Sequence, residues 1–189
     1  FIGFDNENHL YYPLIYMRDN IFNEIAKVTP VQLNEGERDF VKDLKQYFNS
    51  NQEYFIGKNV YLLRNQSKTG IGFLTETKNF YPDFILWQII GRKQYVSFID
   101  PKGIYMLKDV WNHPKILLYK TIKTEFQANL DDNNTILNSF IISNTSFKNM
   151  QFRSSHDETI EMYHDANVYF QDEDKNTYIE KVLNKALIE

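Results

Sequence analysis

The chain is 189 residues long, carries a formal net charge of −4 and has no cysteine. That length suits one domain with a core of its own, and 15 Phe, 13 Tyr and 2 Trp exclude a disordered chain. Without cysteine there are no disulfides, no thiol nucleophile and no Cys-held zinc or iron–sulfur centre. The acidic balance argues against a dedicated basic DNA-binding module, while no apolar run reaches the roughly 18 residues of a membrane span.

Residues 1–30 are mixed in character and are expected to be a lead-in or linker, with His9 on the surface. Asn34 is a good N-cap, followed by Glu35 and Glu37 in a first turn that favours acids. A helix over 34–49 follows, with Phe40, Val41, Leu44 and Phe48 as its buried stripe. Residues 58–64 read as the first core strand and 66–70 as a turn. Residues 71–74 are extended, and Glu76 beyond them is an exposed acid held in reserve as a metal ligand.

The next stretch, 80–103, reads FYPDFILWQIIGRKQYVSFIDPKG: two apolar strands joined by a turn at Gly91-Arg92-Lys93. Such a short connection makes the strands antiparallel neighbours. Asp83 at the start of one is therefore expected beside Asp100 and Lys102 at the end of the other. Pro114 marks a helix start, and the helix is expected to end near Leu130. Its Lys115, Lys120 and Lys123 are read as a solvated face, with phosphate contact as the alternative. A strand over 135–143 follows. Residues 159–163 and 168–170 are predicted to form a hairpin, and 176–188 a final helix with Tyr178, Ile179, Val182, Leu183 and Ala186 as its apolar face. His156, Asp157 and His164 fit no ligand spacing and are read as surface residues. Local patterning gives a mixed α/β or α+β domain.

Two carboxylates at one sheet end repel each other unless a cation lies between them. Oxygen ligands suit Mg²⁺ or Mn²⁺, and such a cation can polarise a phosphoryl oxygen and activate water. Asp100 and Lys102, two apart on a strand, are expected on one face, where Lys102 would orient or deprotonate that water. Pro101 restricts Asp100 to extended backbone and offers its carbonyl as a third ligand.

Pro82-Asp83 followed by Asp100-x-Lys102 resembles the PD-(D/E)xK nuclease signature. FYPDFILW with FIDPKG is similar, more narrowly, to the C-terminal endonuclease domain of type III restriction enzymes and related helicase–nucleases, from about residue 30 onward. The resemblance implies a restriction-endonuclease-like α-β-β-β-α-β core with a mixed sheet and Mg²⁺-dependent cleavage of DNA. It also implies an upstream helicase or translocase region and a methyltransferase partner, neither visible here. The chain opens on Phe1 rather than Met, and a cytoplasmic fragment of a larger protein is expected.

Glu37 is a further candidate. On a helical wheel Phe40, Val41, Leu44 and Phe48 cluster around its direction, and an acid on an apolar stripe needs a partner. A metal or Lys102 would serve; alternatively Glu37 closes a capping box with Asn34. Two other functions stand beside the nuclease: an inactive DNA-clamping or docking module of the same fold, and an unrelated metal-dependent hydrolase.

Overall fold

A computed structural model describes residues 32–65, 70–74, 79–152 and 157–188. The lead-in with His9, the turn at 66–69, Glu76 and His156 lie outside the described residues. Helix α1, Glu35–Ser50, begins with a capping box: the Asn34 side chain accepts from the Glu37 N–H, and the Glu37 carboxylate accepts from the Asn34 N–H. Phe40, Val41, Leu44 and Phe48 are buried, as their spacing predicts.

Five strands form one mixed sheet in the order β1-β4-β5-β6-β7: β1 Lys58–Arg64, β4 Phe84–Ile90, β5 Lys93–Pro101, β6 Thr135–Ser143 and β7 Val168–Phe170. Strands β1, β4 and β5 are an antiparallel meander. The β4–β5 turn is two residues, not three: Gly91, with φ of 60°, and Arg92, while Lys93 already pairs with Ile90. Strands β5 and β6 are parallel, which demands a crossover. That crossover contains helix α2, Pro114–Thr121, with Pro at its first position and the His113 side chain accepting from the Lys115 N–H. A π turn, Ile122–Phe126, and a 3₁₀ turn, Gln127–Asn129, extend it as far as expected. Between β1 and β4, β2 Phe73–Leu74 and β3 Asn79–Phe80 make a small separate antiparallel pair.

The predicted C-terminal hairpin does not form. Residues Ile160–Asp165 are helix α4, and β7 pairs in parallel with β6 instead. Buried Tyr163 and Ala166 and half-buried Ile160 recur every three residues, a helical rather than a strand interval. Asn167, with φ of 59°, reverses the chain into β7. Between β6 and α4 lies the short helix α3, Phe147–Gln151, and the chain ends in helix α5, Tyr178–Lys185, whose five expected apolar residues are all buried.

The result is a mixed α/β domain of three layers. Helices α1 and α5 cover one sheet face, where Phe40, Leu44, Phe84, Ile99 and Val182 share a core. Helix α2 and its extension cover the other, where Leu118 and Ile122 meet Ile85 and Phe98. Losing a buried leucine such as Leu44 to alanine costs about 2–5 kcal/mol. Two buried amides on the α5 side bond carbonyls at that helix's end: Gln88 donates to Leu183 at 3.2 Å and Asn138 to Ala186 at 2.9 Å. No helix among the described residues is long and apolar enough to cross a membrane.

Candidate active site

The β4–β5 register pairs Phe84 with Ile99, so one step outward Asp83 stands across from Asp100. Residues directly opposite in an antiparallel pair share a face, here that of Ile85 and Phe98 beneath α2. Asp100 is 2 % exposed, and the Asp83 carboxyl lies within its immediate electrostatic influence. Burial, followed by the neighbouring Asp100 carboxyl and the charge of Glu37, pushes the Asp83 carboxyl up to about 9. The Asp83 backbone is tied down by Asn65, just past β1. The Asn65 N–H donates to the Asp83 carbonyl at 2.8 Å, and its side chain donates to the Pro82 carbonyl at 2.8 Å. The same amide bonds Ile71 in both directions. Gly72 lies under the Tyr81 ring, and a Cβ there would come within 2.4 Å of it.

Glu37 reaches the same sheet end from the opposite layer. Its Oε2 lies 3.1 Å from an Arg64 guanidinium nitrogen, and both side chains are largely buried. Burial raises its carboxyl above the usual range; Arg64 and the Asn34 N–H offset part of that, and the Asp100 charge adds to it. Glu37 is thus both a cap and a member of this electrostatic cluster. Its ion-pair partner is Arg64, not Lys102.

Lys102 is exposed, and its backbone N–H donates to the Ile142 carbonyl at 2.9 Å. Strand β5 ends at Pro101, so the alternation expected to align Lys102 with Asp100 stops one residue short. The ammonium on Asp100 belongs to Lys115, 2.6 Å from Oδ2. It also sits 4.4 Å from the Phe80 ring centroid, a cation–π distance. Lys115 was expected to belong to a solvated face; only 22 % of its side chain is exposed.

Among the described residues, no group of three or more His, Asp or Glu side chains is gathered as a metal cluster. The donors present nevertheless fit a hard divalent cation. Two carboxyls stand side by side where burial and the neighbouring Asp100 push the Asp83 carboxyl up, crowding of negative charge that a cation relieves. In a trans peptide the carbonyl opposes the following N–H. Since the Lys102 N–H points to β6, the Pro101 carbonyl points to the β4 side, where the acids are. Asp83, Asp100 and the Pro101 carbonyl would hold the ion. Glu37 Oε2 is engaged by Arg64 and the Asn34 N–H.

Comparison with known proteins finds no match. No family model fits the chain, and no curated protein or solved structure resembles it closely enough to be matched.

The pairing of Lys115 with Asp100, and the roles of Arg64 and Asn65, escaped the sequence reading, which named Lys115 only as a solvated residue or phosphate contact. A signal for Lys115 was present: it precedes Leu118 and Ile122 by three and seven residues, so it heads the stripe that packs on the Asp100 face. A second cluster was also missed. Buried Asp174 accepts from the Phe170 N–H at 2.9 Å and from Lys181 at 2.7 Å, and lies 2.8 Å from His164 Nε2. His164 is half-buried there, not a surface residue; Asp157 is exposed as expected.

Proposed function

We propose that this domain is a metal-dependent endonuclease that hydrolyses DNA phosphodiester bonds. The observation that carries the reading is the register that sets Asp83 across from Asp100 at the end of two paired strands. It is supported by the resemblance of FYPDFILW and FIDPKG to restriction-type nuclease domains and by the α-β-β-β-α-β order of α1, β1, β4, β5, α2 and β6. Bound Mg²⁺, or Mn²⁺ in its place, would polarise the phosphoryl oxygen and lower the pKa of a water. Asp83, Asp100 and the Pro101 carbonyl would hold that ion. Lys102, exposed at the strand's end, meets the phosphate as a point charge. Glu37 fixes the charge balance behind the acids through Arg64. The domain would work within a larger helicase–nuclease, alongside a methyltransferase subunit, in restriction of foreign DNA.

Supercoiled plasmid tests this. Purified protein should nick or linearise it with Mg²⁺ or Mn²⁺ but not with EDTA, and Lys102→Ala should slow the reaction at least tenfold, on the scale of removing one group that stabilises charge developing on the phosphate. A folded wild type that leaves plasmid intact with both metals would remove the proposal.

A second reading is favoured by the Lys115–Asp100 ion pair at 2.6 Å, which already neutralises one acid. The fold would then be a DNA-clamping or docking module that does not cleave. Calorimetric titration separates the two, because a clamp of this kind takes up no Mn²⁺.

A further inference from the structure

We propose that Lys115 is the built-in counter-ion of the Asp83–Asp100 pair, and that a divalent cation must displace it from Asp100 to bind. The metal half of this rests on the function proposed above; the counter-ion half does not.

The geometry is specific to this lysine. Its Nζ lies 2.6 Å from Asp100 Oδ2, a charge-assisted contact to a carboxylate whose side chain is 3 % exposed. Helix α2 fixes the direction of approach: His113 caps it, Pro114 starts it, and the Leu118 and Ile122 stripe seats it on the Asp100 face. The Phe80 ring at 4.4 Å flanks the ammonium. Lys102 is two residues from Asp100 in sequence, yet its side chain lies exposed beyond the strand.

Two acids facing each other under a helix need positive charge in the pair's immediate field. Arg64 supplies it to Glu37, in the layer across the sheet; Lys115 supplies it to Asp100. An ammonium on Oδ2 and a divalent ion on the same oxygen exclude one another by charge and by space. Metal entry therefore swings Lys115 off Asp100 and leaves its ammonium beside the site, free to meet an anionic ligand. Lys115 is in this sense a positioning residue: it holds the acids in register while no ion is present.

The test uses the whole chain and two readouts. Without metal, Lys115→Gln should lower Tm by about 3 °C or more, whereas exposed Lys102→Gln and Lys120→Gln should leave it unchanged. Adding Asp100→Asn to Lys115→Gln should restore most of the loss, because the carboxylate that the lysine neutralises is then no longer a buried, unpaired charge. A simple packing role for the lysine stem predicts additive effects instead, and additivity would overturn the counter-ion. In Mn²⁺ titration calorimetry, Lys115→Gln should bind about tenfold tighter than wild type, while Lys115→Arg, which keeps the charge, should not. Unchanged or weaker binding in Lys115→Gln would overturn the displacement. If neither protein binds Mn²⁺, the displacement fails together with the metal-dependent function, while the melts still decide the counter-ion. Should Lys115→Gln not fold, a folded double variant supports the counter-ion, and an unfolded one overturns it.

Discussion

At the scale of single residues the half-buried Asp83 and the buried Asp174 act in opposite directions with pH. Asp83 is raised from 3.8 to about 9, first by burial and then by Asp100. A raised acid contributes its full stability below its unfolded value and loses it as pH rises through the folded one. Metal-free protein should therefore lose stability as pH rises from the unfolded value of 3.8 toward about 9. Asp83→Asn should flatten that decline and raise Tm at pH 8. Melts by circular dichroism with a chelator present check this; a wild-type Tm flat over the range would contradict it. Burial also opposes the charge on Asp174, but the Lys181 ammonium, the Phe170 N–H and His164 outweigh it and leave the carboxyl depressed below 3.8. Its stabilisation is present above pH 3.8 and is lost as pH falls through the lower folded value. Asp174→Asn should cost about 2–4 kcal/mol in urea unfolding at pH 7, since it strands a cation against a buried position; a loss under 1 kcal/mol would make the cluster ornamental.

At the scale of elements, α1 shows how a single acid serves two purposes. Asparagine at the cap and glutamate three residues on were legible as a capping box, and the apolar stripe was legible from its period. The ion pair with Arg64 was not, because it joins residues 27 apart through tertiary packing. Since burial raises the Glu37 carboxyl, its stabilising share is full below 4.5 and declines as pH rises through the folded value. Glu37→Gln, which still caps, should then leave Tm at pH 7 within about 2 °C. Cleavage should nevertheless fall about tenfold or more as the charge behind the acids changes. Unchanged cleavage would return Glu37 to the helix cap alone. The strands fared better than the C-terminal segment. β4, β5 and β6 are long apolar runs with clear boundaries, whereas Ile160–Asp165 is six residues whose alternation mimics a strand. Tertiary burial of Tyr163 against Trp111, Phe147 and Phe170 decides its conformation.

At the scale of the whole molecule, the acid pair was legible because one hairpin fixes it: the register follows from a short turn, and both aspartates lie at its open end. Lys115 was hidden because it arrives on the crossover helix, fifteen residues beyond Asp100, by a route no local pattern encodes. The net charge of −4 has its own consequence. Phosphate neutralisation by Lys and Arg supplies most non-specific affinity for DNA, so the isolated chain should bind duplex DNA weakly, without sequence preference, and lose binding steeply with salt. Fluorescence anisotropy between low and moderate salt checks this; tight, sequence-selective binding would point to a recognition element elsewhere in the chain.

The most direct measurement compares wild type, Asp83→Asn and Asp100→Asn on supercoiled plasmid with Mg²⁺ or Mn²⁺, each shown to be folded. The wild type should cleave, and either single substitution should bring cleavage to the level seen with EDTA. If either variant cuts at the wild-type rate, the acid pair is not the catalytic centre.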